Sequence, residues 1–352
     1  MYEPVREGES IRFSLASPDP LPAGLLAHTR HVFGSACAEV AERSPAVPGL
    51  QTLSLFGVAG SDASALERLR DELRGPALAL GVDCALTRGK MAERGPRLIV
   101  SDVDSTFIRG EAIDMLADAA GSGPRVAAIT EAAMNGELDF AEALAERVAT
   151  LEGLSLDRVK SIADRVKPVP GAETLVATAH ARGCAVGLVS GGFIEVIGGL
   201  ARRLGVDCVL ANRLETSGGA LTGRTEGEIV TRERKAEALL RWSEGGRLPG
   251  ADMPRGAKFT EGSNSPEVSD SPLEARAGGA DFRSRGRPSP RERIDLSETV
   301  AAGDGANDLS MMEIAGLSVA VCAKPAVLAA ADAAVTRPRL DILAAILGWD
   351  AV

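Results

Sequence analysis

A chain of 352 residues, 45% hydrophobic and 25% charged, has the composition of a soluble globular protein long enough for two domains. Its formal charge of −10 argues against nucleic acid or an anionic membrane as a partner. No stretch approaches the roughly 20 apolar residues that span a bilayer, and the acidic start MYEPVREGES has no signal-peptide pattern. Five scattered cysteines without a CxxC spacing read as reduced packing residues, which points to a cytoplasmic location. With three histidines in all (His28, His31, His180), the chemistry is expected to rest on carboxylates.

Residues 1–95 read as a first unit. Residues 11–16 (IRFSLA) alternate as a half-buried strand, which SPDPLP breaks. A helix is predicted over 24–42, with apolar positions at Leu25, Leu26, Val32, Phe33, Cys37 and Val40, and Pro45 and Pro48 beyond its end. A strand at 50–58, an amphipathic helix at 64–80 and a short strand at 82–86 complete the unit. This β-α-β-α-β order resembles an ACT-type regulatory domain one strand short. The preferred reading is a small α+β domain that serves dimer contacts between two copies.

A linker is expected at 90–96 (KMAERGP), and the second unit covers 96–352. A buried strand at 98–101 climbs to Asp102 and Asp104. Helices follow at 111–120, 130–134, 139–152 and 155–166 with no strand between them, so about 111–168 reads as a helical cap over the sheet. Next come a helix at 172–181 and a strand at 184–189, running into Ser190-Gly191-Gly192 at the head of a helix over 193–204. A strand at 207–212, a glycine hairpin at 214–223 and a helix at 232–242 bearing Lys235 follow. After them lie a strand at 298–302 ending in GDGAND, a helix at 309–315, a strand at 317–321 and a last helix at 340–347. Strands alternating with helices predict an α/β fold on a parallel sheet. Residues 245–293, rich in Gly, Pro, Ser and charge, interrupt this rhythm and are expected to be disordered or a long surface loop.

In an open α/β sheet, ligands gather at the carboxyl ends of the strands. DVDST (102–106), Ser190-Gly191-Gly192, Lys235 and GDGAND (303–308) all fall there or beside it. Each alone reads as a turn, cap or surface residue; the ordered set points to chemistry. Asp102 is the candidate nucleophile, able to accept a phosphoryl group, and Asp104 the candidate acid and base. Two carboxylates so close call for a cation. Mg²⁺ with oxygen ligands from Asp102, the main-chain carbonyl of Asp104 and Asp304 would supply it, with Asp308 nearby or as a further ligand. Ser190 and the N–H groups of Gly191 and Gly192 form an anion site at a helix start, and Lys235 adds positive charge.

DVDST, SGGF, the lysine and GDGAND, in that order, resemble the haloacid dehalogenase-type phosphatases. FIRGEAID, AMNGELDFAEALAERVATLEGL, VKPVPGAETLV and EGEIVTRERKAEAL extend the resemblance to their phosphoserine-hydrolysing branch. The resemblance implies a Rossmann-like core with a helical cap, Mg²⁺ as cofactor and O-phospho-L-serine as substrate. It further implies that Glu111 binds the substrate ammonium and Arg147 its carboxylate. Ser190, Gly191 and Lys235 would hold phosphate, with Asn307 and Asp308 completing the site. Rival readings are a phosphatase for phosphohomoserine or a phosphosugar, and an amino-acid sensor with a vestigial phosphatase domain.

Overall fold

The computed structural model describes residues 8–60, 62–246 and 293–352. The expected insertion at 245–293 lies, apart from its ends, outside the described residues.

The N-terminal unit runs β1 (Gly8–Ser17), α1 (Ala23–Ala36), β2 (Ala38–Arg43), β3 (Gln51–Gly60), α2 (Ala63–Ala79) and β4 (Asp83–Arg88). Its strands are antiparallel in the order β2-β3-β1-β4. That β-α-β-β-α-β course is ferredoxin-like. Phe33 and Leu25 of α1 and Leu66, Leu69 and Leu73 of α2 close over Ile11, Phe13 and Leu15 of β1. The helix predicted through residue 42 stops at Ala36, and the chain turns at Cys37 into an extra strand. All six residues of β2 are exposed, so no burial pattern separates the strand from a helix end. Val40 and Cys37 merely fell on the helical period.

In place of the predicted linker stands a short helix, α3 (Gly89–Arg94), whose Met91 and Ala92 are buried. The second unit then runs β5 (Leu98–Ser101), α4 (Ala112–Ala120), α5 (Gly123–Met134), α6 (Phe140–Ala149), α7 (Leu156–Ala163), α8 (Ala172–Ala181), β6 (Ala185–Phe193) and α9 (Ile194–Leu204). It continues through β7 (Cys208–Ser217), β8 (Ala220–Glu226), α10 (Arg232–Ser243), β9 (Thr299–Gly303), α11 (Leu309–Ile314), β10 (Leu317–Val321), α12 (Pro325–Ala330), β11 (Ala333–Val335) and α13 (Asp341–Ile346). Strands β7-β6-β5-β9-β10-β11 are parallel neighbours. Numbered by appearance this is 3-2-1-4-5-6, the doubly wound order, and it reverses between β5 and β9. A crevice therefore opens at the carboxyl ends of those two strands, where Asp102 and Asp304 follow. The α/β core and its helical cap are as expected; α12 and β11 are additions. Strand β11 is only Ala-Ala-Val, too short for a periodic signal.

One antiparallel bridge, Ala334↔Cys84, carries the sheet from the core into β4. Helices α3 and α13 also pack on β1. Its second face, Arg12 and Ser14, is buried as a result, where alternation predicted only one buried face.

The cap leaves and re-enters the core through a narrow neck. Ile108 bridges Pro168, and the Val169 N–H donates to the Phe107 carbonyl at 2.9 Å. An Asp139–Glu142 capping box starts α6 and Ser155 caps α7. Leu116, Leu144, Val148 and Leu151 bury the inner faces of the cap helices in the main core. The cap also leans on the β7–β8 hairpin, with Gly153 N donating to the Leu221 carbonyl at 2.9 Å. Among the described residues no helix is long and apolar enough to cross a membrane.

Candidate active site

Asp102 follows directly from β5, its N–H donating to the Ala302 carbonyl of β9 at 2.8 Å. The ladder fixes it at the switch point, and only 4% of it is exposed. The next turn is tight: Phe107 and Ile108 both donate to the Val103 carbonyl, and Ser105 takes a left-handed φ of 59°. This turn separates the two aspartates. Asp104 is half-buried, and its Oδ1 accepts from Ala112 N, at the start of α4, at 2.7 Å. Its Oδ2 accepts from the Ser190 hydroxyl at 2.7 Å. Burial pushes the Asp102 carboxyl well above the usual carboxylate range; Lys235 opposes this, and Asp308 and Asp104 add to it.

Helix α10 delivers Lys235, which is 1% exposed. Its Nζ donates to Asp102 Oδ1 at 2.6 Å and to Asp308 Oδ1 at 2.8 Å. Burial alone would lower this ammonium's pKa, but the two carboxylates together outweigh it and the group is held charged. Asp308, fully buried, also accepts from Gly305 N at 3.1 Å. A side chain at 303 would run into the Asp308 carboxylate, so glycine is required there for close approach. Asp304 is half-buried and accepts from Thr106 Oγ1 at 3.0 Å; burial raises its pKa first of all.

Asp102, Asp304 and Asp308 each offer an oxygen within 4.8 Å of the others. One lysine cannot balance three carboxylates, and an all-oxygen donor set suits a hard divalent cation. The residues therefore fit such an ion. Asp308, expected near the metal or as a further ligand, lies in the carboxylate cluster and also anchors the lysine.

Ser190, fully buried, receives Gly192 N on its hydroxyl at 2.7 Å. The predicted helix start needs correcting. Residues 190–192 lie in β6, which runs on to Phe193, and α9 begins at Ile194. The β6–β7 ladder passes from Ser190↔Ala211 to Phe193↔Asn212, so the two glycines form a bulge. Asn212 donates from Nδ2 to the Gly191 carbonyl at 2.7 Å and accepts from Val230 N at 2.7 Å. Sequence reasoning missed Asn212, Thr106 and Phe140; a polar amide after the apolar run 209–211 was the one available signal. Phe140 keeps its ring exposed at the head of α6, facing Gly191.

Glu111 caps the approach to α4, at the mouth of the crevice. The residue is exposed, and its Oε1 accepts from the Ser105 hydroxyl at 2.8 Å. Partial desolvation, then Asp104, raises its pKa. Arg147 on α6 is half-buried, with Nε donating to the Ala143 carbonyl at 3.1 Å. Burial lowers its pKa, while Glu111 and Asp114 act the other way. Among the described residues Arg147 has no ion pair, so its guanidinium is available to a ligand carboxylate. Asn307 is exposed in the turn Ala306–Asp308, beside the carboxylates.

Two family models, both described as haloacid dehalogenase-like hydrolase, match residues 99–251 and 290–341. The gap between them falls within the expected insertion. A phosphoserine phosphatase of Streptomyces coelicolor is 40% identical over 293 residues, covering 83% of this chain. This chain spans only 60% of that relative's length. The phosphoserine phosphatase of Lactococcus lactis is 39% identical over 240 residues, 68% of this chain and 89% of the relative. A solved phosphoserine phosphatase carrying a phospho-aspartyl intermediate analogue is 33% identical, with a TM-score of 0.53. That match covers 70% of this chain and 97% of the solved one.

Proposed function

This chain belongs to the phosphoserine phosphatase family of haloacid dehalogenase-like hydrolases, and we propose that it hydrolyses O-phospho-L-serine to L-serine and phosphate. The observation that carries the reading is Asp102, buried at the switch point and held by Lys235 at 2.6 Å, with Asp104 turned toward Ser190. The reaction would be the last step of L-serine biosynthesis.

In this reading an Asp102 oxygen attacks phosphorus, and the bond to the serine oxygen breaks. Asp104 gives that oxygen its proton, so L-serine leaves neutral at the hydroxyl. Asp104 then takes a proton from water, the water oxygen attacks the aspartyl-phosphate, and the Asp102 carboxylate is released with inorganic phosphate. Ser190, its hydroxyl held by the Gly192 N–H, together with the Gly191 N–H and Lys235, binds the phosphoryl oxygens, with Asn307 at the rim. Glu111 receives the substrate ammonium, and Arg147 takes its carboxylate with two parallel N–H donors. A divalent cation, proposed as Mg²⁺, would be held by Asp102, the Asp104 carbonyl and Asp304 with Asp308 beside them. Bound there, it neutralises charge on the transferring group.

The fit of Glu111 and Arg147 to an ammonium-carboxylate pair favours an amino-acid ester over a phosphosugar. The division at residue 95 and the ACT-like character of the first unit are proposed on its β-α-β-β-α-β course. A homodimer through that unit is proposed on the exposed edge strand β2, and a cytoplasmic location on the absence of disulfides among the described cysteines. The test is phosphate release across phosphomonoesters, with and without Mg²⁺. Phosphoserine should give the highest kcat/KM; a clear preference for phosphohomoserine or a phosphosugar would overturn the assignment.

A further inference from the structure

We propose that Asn212 is a positioning residue that sets the two halves of the phosphate site, the loop at 190–192 and the Lys235 helix, against each other. The role rests on the assignment of those two elements to phosphate made above.

The bulge in β6 takes Gly191 and Gly192 out of the ladder with β7. Main-chain groups so displaced need other partners when buried. The Asn212 amide is one, donating to the Gly191 carbonyl at 2.7 Å. Its other end accepts from Val230 N at 2.7 Å. Val230 immediately precedes Thr231, whose side chain caps α10 by accepting from Arg234 N. One side chain, 2% exposed, thus reaches from the loop beside Ser190 to the entry of the helix that carries Lys235.

The residue type follows from the geometry. One end must donate and the other accept. An aspartate keeps the acceptor for Val230 but turns a second acceptor toward the Gly191 carbonyl; a leucine supplies neither. An amide buried behind Val209, Leu210 and Ala211 is unfavourable unless both ends are satisfied, and here both are. The two tethered elements converge on the reacting carboxylates. Lys235 Nζ lies 2.6 Å from Asp102, and Ser190 Oγ lies 2.7 Å from Asp104. Shifts of about 1 Å in such groups can cost about a hundredfold in rate.

The test uses the full chain with Asn212→Asp and Asn212→Leu. Turnover of p-nitrophenyl phosphate and of phosphoserine, inhibition by inorganic phosphate and by L-serine, and melting temperature are measured together. Asn212→Asp is expected to lose roughly tenfold in kcat on both substrates, the scale of one buried hydrogen bond, and Asn212→Leu at least as much because it removes two. The phosphate inhibition constant should rise by about the same factor, while that of L-serine stays within about twofold. If Asn212→Leu fails to fold, Asn212→Asp decides, because it keeps the Val230 contact and sets an acceptor against the Gly191 carbonyl. A lower melting temperature with unchanged kcat and phosphate inhibition would reduce Asn212 to a structural residue and overturn the proposal. So would equal weakening of L-serine and phosphate. A wild-type chain inactive on every phosphomonoester would instead overturn the reading of the site.

Discussion

Replacing Lys235 with methionine removes one buried cation from between two buried carboxylates. Methionine matches the stem in volume, so packing is preserved and the electrostatic loss stands alone. Deleting one partner of a buried ion pair costs about 3–5 kcal/mol, because the other charge is left uncompensated. Here Asp102 moderates the loss. Burial already raises its pKa, and removing Lys235 takes away the group that opposes that rise. Asp102 can therefore escape by binding a proton, more readily as pH falls. We expect about 3 kcal/mol of destabilisation at pH 8, which is roughly 6–12 °C in melting temperature for a large domain, and a visibly smaller loss at pH 5. Mg²⁺ should restore part of the pH 8 loss by binding the folded cluster. The assay is thermal unfolding at both pH values, with and without Mg²⁺, alongside turnover. A change under about 2 °C at pH 8, or equal losses at both pH values, would refute the reasoning.

Other expectations follow from the same geometry. Arg147→Ala should raise KM for phosphoserine about 10- to 100-fold, the worth of a charge-assisted contact, and leave p-nitrophenyl phosphate nearly untouched; steady-state kinetics on both substrates decide it. Glu195, in the first turn of α9, is half-buried, and that burial pushes its carboxyl up to about 7 from 4.5. The folded state then holds a proton the unfolded chain releases, so stability falls as pH rises from about 4.5 to about 7. Holding that proton is worth about 3 kcal/mol, so Glu195→Gln should stabilise the protein by up to that amount at pH 8 and by much less at pH 5. Urea titrations at the two pH values measure it. Chelation of divalent cations should abolish phosphate release and lower the melting temperature, with Mg²⁺ restoring both; activity that survives chelation would remove the metal from the account.

The catalytic half of the site was legible because strand ends and short motifs coincide: Asp102, Ser190, Lys235 and Asp304 each lie at or beside the carboxyl end of a strand. What joins them was not legible. Asn212 acts through hydrogen bonds to residues 21 and 18 positions away and Thr106 through one to a residue 198 positions away, which no local pattern encodes. Strand β2 was absorbed into a helix because an edge strand exposed throughout carries no burial period. The linker at 90–96 concealed α3, since one buried methionine and one alanine are too few to establish a helical face. The bulge at 191–192 is a property of two strands together, so the strand predicted to end at residue 189 runs four residues further. The link from Asp308 to Lys235 was not legible, because it depends on how α10 lies against the turn after β9.

The most direct measurement is to mix the protein with phosphoserine labelled on phosphorus, quench in acid within the first turnover, and locate the label. The account predicts label on Asp102 alone, released by hydroxylamine as an acyl phosphate is, and both label and turnover absent from Asp102→Asn. Label on another residue, or phosphate release from Asp102→Asn at the native rate, would contradict it.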